Sequence, residues 1–256
     1  MEEDRETELS ISRINKRIVI LDTVCSTNDY AKKLVASGSL EDFIIFAFEQ
    51  TAGGGRYGRE WTSPRGGAWF SLVLTIPDIR YASALLFKSA LAVSDAIRMK
   101  EVKTQIRWPN DIMICGKKVS GCLLETVKGN DGEIRAVIGI GVNVNINEDI
   151  LKEAGLYETA TSLMIETGEE HDILDLMYAV VSITINYFEK SLLLSTDEIN
   201  KINSVLYKKG EHVTLTINSN KICGICTGLS EDGLISIIDE NDNIFSYSHS
   251  EVTAFR

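Results

Sequence analysis

The sequence has no surplus of positive charge. Its 26 lysines and arginines stand against 37 aspartates and glutamates, a formal net charge of −11. Nonspecific nucleic-acid binding needs a basic face to neutralise phosphates, so that class is disfavoured, although a local basic pocket for a small anion is not. No apolar run approaches the length of a membrane span. The opening segment MEEDRETELS is acidic and has no apolar core, which excludes a secretory signal or transit peptide there. The five cysteines are an odd number in a chain too large for a disulfide scaffold, so a reducing cytoplasm is expected. Internal repeats and low-complexity segments are absent. Cys223 and Cys226 have no second pair and no histidine nearby, and on a strand they would point to opposite faces, so no zinc site is expected. His171, His212 and His249 pair with no nucleophile and are expected at the surface.

What is there is an ordinary globular composition, 44% hydrophobic and 25% charged, on 256 residues. That length suffices for one large domain and a small one. Residues 1–16 are polar and predict a loose arm or a short lead-in. Residues 18–22 read as a first strand. Ser26 or Thr27 caps a helix that ends near Gly38, and residues 43–49 form a strand apolar enough to be buried on both faces. Further strands are predicted at 68–75 and near 105–108, 111–114, 119–125 and 135–145, with helices over 81–99 and 172–193. After about Lys209 the pattern changes to short strands broken by Gly, Asn and Asp. The expected organisation is an arm at 1–16, an α+β domain with a mixed sheet at 17–205, and a small β-barrel at 206–256.

Four segments carry the chemistry. Residues 49–71 form a long glycine-rich loop between two strands. Gly53, Gly54, Gly55 and Gly58 allow close backbone approach, and successive N–H groups in such a loop make an anion nest. Arg56 and Arg59 add guanidinium forks suited to phosphate or carboxylate, and Trp61 offers a flat face to a purine. The loop lacks the spacing of a P-loop or a dinucleotide fingerprint. Residues 107–125 read as a hairpin, with Pro109 stiffening the turn that holds Asn110 and Asp111. Lys117 and Lys118 open the returning strand and must point to opposite faces, so only one enters a pocket, and Asp111 can approach Lys118 across the hairpin. Residues 137–145 are a buried strand whose Asn143 needs a partner, either a ligand or the core. Ser26, Thr27 and Asn28 stand at a helix N-terminus, as a cap or as a holder for a small polar group.

These segments, in this order, resemble the biotin–protein ligase family: Ser-Thr-Asn, a Gly/Arg loop closing in Gly-Arg-x-Trp-x-Ser-Pro, Trp-Pro-Asn-Asp followed by Lys and Gly, then Gly-x-Gly-x-Asn. Each piece is weak alone, and the combination is specific. The resemblance implies a catalytic fold of the class II synthetase-like kind plus a C-terminal β-barrel. It implies biotin and ATP with Mg²⁺ as reactants, a biotinyl-5'-AMP intermediate, and a carrier-protein lysine as acceptor. On the matching positions, Ser26, Thr27, Asn28 and Gln50 should meet the ureido head of biotin, with Gly53 and Arg56 in the loop over it and Gly121 leaving room for its tail. Trp61 should stack on adenine, with Arg59, Asn110 and Asn143 also on the nucleotide side. Lys118 should bridge the biotin carboxylate and the α-phosphate, with Arg56 assisting. Asp111 should orient the acceptor amine or take its proton. Two departures stand out. Gly54 replaces an arginine usual in the loop, which implies faster release of the adenylate, and Arg107 replaces a lysine with charge preserved.

Three rivals follow. A lipoate or octanoate ligase shares the fold and the chemistry, but the Trp61 loop and the C-terminal module favour biotin. A biotin-responsive DNA-binding repressor would need a helix-turn-helix ahead of the first strand, for which about sixteen residues are too few. A non-catalytic adaptor would not need Arg56, Asp111 and Lys118 together. The expected partner is a biotin carboxyl carrier protein or domain of a carboxylase, with neither nucleic acid nor membrane, and with a homodimer as a weaker expectation.

Overall fold

The computed structural model describes residues 7–9, 16–39 and 41–255. Among the described residues the larger sheet has eight strands in the order β1-β2-β3-β4-β8-β7-β6-β5. These are β1 (Thr7–Leu9), β2 (Arg17–Val24), β3 (Phe43–Gln50), β4 (Ala68–Ile76), β5 (Gln105–Arg107), β6 (Asp111–Ile114), β7 (Lys117–Lys128) and β8 (Ile134–Val142). Only β2 and β3 run parallel, joined by the helix α1 (Thr27–Ala36); every other neighbouring pair is antiparallel. Where a loose arm was expected, β1 pairs with β2 and makes the sheet's edge.

The period-2 pattern explains why the central strands are apolar on both sides. Ile44 and Phe46 of β3 enter one core, while Phe43, Ile45 and Ala47 enter the other. On the first face pack α2 (Ala82–Arg98) and α5 (Ile173–Lys190); on the second packs α1, through Ala31 and Val35. Burying each large side chain is worth roughly 1.5–3 kcal/mol. The short helices α3 (Glu148–Glu153) and α4 (Leu163–Thr167) follow β8, and α6 (Thr196–Ser204) follows α5. The sequence pattern had not marked these three. The α6 N-terminus carries a full capping box between Ser195 and Glu198. Lys88 of α2 is fully buried beneath it. Its Nζ donates to the carbonyls of Tyr187 and Ser191 at 2.9 and 2.7 Å and pairs with Glu198 at 3.1 Å, tying α2, α5 and α6 together.

The C-terminal strands are β9 (His212–Ile217), β10 (Asn220–Leu229), β11 (Ile235–Ile238), β12 (Ile244–Tyr247) and β13 (Val252–Phe255), in the order β12-β11-β10-β9-β13. Among the described residues these strands form one five-stranded antiparallel sheet, the small all-β unit expected at the C-terminus as a β-barrel. The bulge between Cys226 and Gly228 curves it. Cys223 is exposed and Cys226 buried, as strand alternation requires. No helix among the described residues is long and apolar enough to cross a membrane.

Candidate active site

The site lies on the α1 face of the large sheet, where alternation brings Gly121, Gly139 and Gly141 together. Ser71 of β4 is opposite Gly139 of β8, which is opposite Leu123 of β7. One row along, Trp69, Gly141, Gly121 and Asp111 follow one another across four strands. The absence of Cβ atoms in this floor is required. A Cβ on Gly139 would stand 2.4 Å from the Asn28 side chain, and one on Gly141 would stand 2.6 Å from the Trp61 indole. The glycine-permissive strand 137–145 is therefore part of the floor of a cavity.

Two adjoining cavities open above the floor. The first, about 290 Å³, is lined by Ser26, Thr27 and Asn28 at the α1 N-terminus, by Gln50 at the end of β3, and by Glu125 and Gly139. Its polar groups are already connected. Ser26 caps α1, accepting from Asp29 N at 3.3 Å, a contact worth about 1 kcal/mol. Gln50 Oε1 accepts from Thr27 N at 2.8 Å, while Gln50 Nε2 donates to Ser63 Oγ at 2.8 Å. Asn28 Nδ2 donates to Glu125 at 2.8 Å, and Ser71 Oγ lies 2.6 Å from Asn28 Oδ1. Ser63, Ser71 and Glu125 were not singled out from the sequence. Glu125 carried a legible signal, since it shares a strand face with Gly121 and Leu123; Ser63 carried one as the serine of Gly-Arg-x-Trp-x-Ser-Pro, and Ser71 carried none.

The second cavity, about 500 Å³, is lined by the Gly/Arg loop, the 107–111 turn, Lys118 and the last strand, β13. Gly54, Gly55, Trp61, Gly121 and Leu123 line both cavities, so the two meet there. Lys118 Nζ stands at this junction, 4.6 Å from the Trp61 ring and 2.7 Å from Asp111 Oδ1. Lys117 turns away and donates to the Tyr157 carbonyl at 2.7 Å, as the alternation argument requires. Arg107 grips Asp111 Oδ2 through Nη2 at 2.6 Å and Nε at 3.2 Å. Burial pushes the Asp111 carboxyl up, but Lys118 and Arg107 outweigh it and hold it below the usual carboxylate range. Cys122 lies under the junction, and burial, assisted by Asp111, pushes its thiol up to about 12. A thiol that stays protonated is no nucleophile.

The loop is organised by short links. Trp61 N donates to Gly53 O at 2.8 Å, and a Cβ on Gly53 would stand 2.5 Å from the Trp61 carbonyl oxygen, so glycine is needed there. Gly53 thus shapes the loop and lines neither cavity. Trp61 lies over Gly121 and Gly141 beside Lys118, between the cavities, and meets Trp69 edge-on. Arg56 donates to the carbonyls of His249 and Val252 and to Tyr57 Oη, and reaches Asn110 Oδ1 at 3.5 Å. Arg59 donates to Thr253 O at 2.9 Å. The small sheet therefore holds the loop by its backbone carbonyls, a contribution invisible in the sequence. His249, expected at the surface, is half-buried. Its ring nitrogen lies 2.8 Å from Ser83 Oγ and its ring packs edge-on to Phe87. Burial, then the nearby Arg56, pushes its imidazole down. His171 is likewise half-buried, its Nε2 2.8 Å from Thr167 Oγ1. Asn143 lines neither cavity. Its Nδ2 donates to Thr161 O at 2.9 Å, while Lys118 exchanges backbone bonds with Thr159 and Thr161. Asn143 therefore fastens the strap beside Lys118. Among the described residues no cluster of three or more His, Cys, Asp or Glu side chains is arranged to hold a metal ion.

Comparison with known proteins bears on this geometry. The biotin/lipoate A/B protein ligase family matches residues 21–145, which include the Ser26 helix start, the loop, the hairpin and the glycine floor. The biotin protein ligase from Aquifex aeolicus, solved in complex with biotin and ATP, superposes with a TM-score of 0.76 at 30% identity, covering 93% of this chain and 98% of that one. The bifunctional ligase/repressor BirA of Bacillus spizizenii is 37% identical over 163 residues, 62% of this chain and 50% of that protein. The biotin–[acetyl-CoA-carboxylase] ligase of Paracoccus denitrificans is 42% identical over 123 residues, 46% of this chain and 51% of that protein. The matches thus span about half the length of these two curated relatives.

Proposed function

This chain belongs to the biotin/lipoate A/B protein ligase family, and we propose that it is a biotin–protein ligase that forms biotinyl-5'-AMP from biotin and ATP and passes the biotin to a lysine of a biotin carboxyl carrier protein or domain. The observation that carries this reading is the junction. A cavity of hydroxyl and amide groups backed by Glu125 and a cavity rimmed by Arg56, Arg59 and Arg107 share the wall of Gly121 and Trp61, with Lys118 at the seam. That suits a small polar ring on one side, a nucleotide on the other, and a reacting carboxylate and phosphate between them.

The first step joins two anions. The biotin carboxylate attacks the α-phosphorus and pyrophosphate leaves. Lys118, assisted by Arg56, offsets the repulsion and the charge that develops on the phosphate oxygens, and the two cavities hold the reactants in line. In the second step the deprotonated acceptor amine attacks the acyl carbon and AMP leaves. Asp111, held ionised by two cations, is too weak a base to drive that deprotonation. Its part is to anchor Lys118 and to attract the incoming amine. Mg²⁺ would arrive with the triphosphate, because both Asp111 oxygens are already engaged. Trp61 and Asn110 face the nucleotide, and Asn143 acts on it through the Thr161 strap. The free cysteines suit a reducing cytoplasm.

Lipoate is the rival substrate. A ureido ring offers two N–H donors and one carbonyl, which the first cavity's wired hydroxyls and amides can match. A dithiolane would leave them unpaired, at a cost large enough for strong discrimination. Calorimetric titration with biotin and, separately, with lipoate decides between them: biotin should bind and lipoate should give no heat. Lys118→Ala should lower ATP-dependent pyrophosphate release about 10³-fold with an unchanged circular dichroism spectrum. Near-normal turnover would refute the role of Lys118.

A further inference from the structure

Resting on the reading of the first cavity as a biotin site, we propose that Glu125 is a positioning residue that sets the direction of the hydrogen bonds behind Thr27, and so makes the Thr27 hydroxyl an acceptor for a ligand N–H. The argument is one of counting protons. An ionised carboxylate only accepts. Glu125 Oε1 accepts from Lys32 Nζ at 2.7 Å, so Oε2 must accept from Asn28 Nδ2, at 2.8 Å. The Asn28 amide is thereby turned with Oδ1 toward Ser71. Oδ1 can only accept, so the single proton of the fully buried Ser71 hydroxyl is given to it, across 2.6 Å. Ser71 Oγ is within donating distance of Thr27 Oγ1 as well, at 2.8 Å, but with its one proton on Asn28 Oδ1 it faces Thr27 as an acceptor.

A second chain agrees. Ser63 Oγ donates to Trp61 O at 3.0 Å, so it accepts from Gln50 Nε2, and Gln50 Oε1 faces Thr27, 3.1 Å from its hydroxyl. Both neighbours of the Thr27 hydroxyl are acceptors, so its one proton stays inside the protein, shared between them, and a lone pair is left for the cavity. The ligand group this favours is an N–H, such as those of a cyclic urea.

Glu125→Gln is nearly isosteric but reverses the chain. Its one oxygen is claimed by the Lys32 ammonium, its amide donates to Asn28, Asn28 turns its Nδ2 to Ser71, and Ser71 then donates to Thr27, consuming a lone pair. The expected result is a biotin Kd raised about tenfold, one hydrogen bond's worth, with ATP binding unchanged. The exchange variant E125Q/N28D restores an acceptor-only group beside Ser71 and should return the biotin Kd to within about threefold of the parent, where a purely packing role predicts no rescue. Titration calorimetry of the full chain with biotin and with ATP reads both. An E125Q Kd within about twofold of the parent overturns the proposal, as does an exchange variant no tighter than E125Q, or loss of ATP binding in E125Q. If the parent chain itself binds no biotin, the biotin reading falls first and takes the proposal with it, an outcome visible before any variant is made.

Discussion

The two cavities differ in how they are built. The first rests on regular elements, a helix N-terminus and four strands, and its side chains are bonded to one another before any ligand arrives. The second is assembled from a loop, a turn and the last strand of a separate sheet, and its Arg56 and Arg59 rest on carbonyl oxygens of residues 249–253. Rigid recognition of a small neutral ring and adaptable capture of a charged nucleotide call for these different constructions. Prewired polar groups reject ligands that leave them unpaired, whereas guanidinium groups parked on carbonyls can be exchanged for a phosphate at modest cost.

The comparison can be broken most severely at the floor. Gly139→Val should fill the first cavity and turn Asn28 aside, weakening biotin about 100-fold or more while ATP binding persists. Equal loss of both ligands in paired calorimetric titrations would mean that the cavities are not independent. A smaller effect is expected at the second cavity's outer wall. His249→Ala removes the ring that anchors the 248–252 turn to Ser83 and Phe87, and should raise the KM for ATP about fivefold without moving the biotin Kd. Steady-state kinetics with each substrate varied in turn would check it. At the loop, Gly54→Arg has room, since nothing lies within 4 Å of a Cβ there. It should slow release of biotinyl-adenylate by about threefold in a stopped-flow chase, and an unchanged off-rate would show that the missing arginine has no bearing on retention.

The gentlest probe is pH. His249 is held neutral, its folded value below the usual histidine range by burial and Arg56. The unfolded chain therefore takes up this proton first. The stability it contributes is present above about pH 6.5 and is lost as pH falls through the folded value. Asp111, also lowered, contributes stability above the ordinary carboxylate range of about 4 that is lost only as pH falls through its own lowered value. Denaturant titrations should therefore show two separate acid losses, with the upper one missing in His249→Ala. The Arg107–Asp111–Lys118 triad should leave adenylate formation without an acid limb from Asp111 between about pH 8 and 5.

Much of the site was legible in the sequence because its chemistry sits in short contiguous segments. Ser26 as an N-cap, one lysine of the Lys117–Lys118 pair entering a pocket, and the Asp111–Lys118 approach all follow from local geometry: the start of a helix, strand alternation, a hairpin. The small sheet's strands were legible for the same reason, in period-2 runs punctuated by Gly, Asn and Asp. The sequence by itself determined these because each depends on residues within a few positions of one another.

Tertiary structure alone decided the rest. It placed Ser71 opposite Gly139 and Glu125 beside Asn28, 97 positions away. It packed the His249 ring, expected at the surface, against Ser83 and Phe87, and used Asn143 to fasten a strap. Such partners come from different strands and from separate sheets, and no local periodicity records which strand lies next to which. The sheet order, set by burying apolar surface on both faces at once, brings them together, and with them the direction in which the protons of the first cavity point.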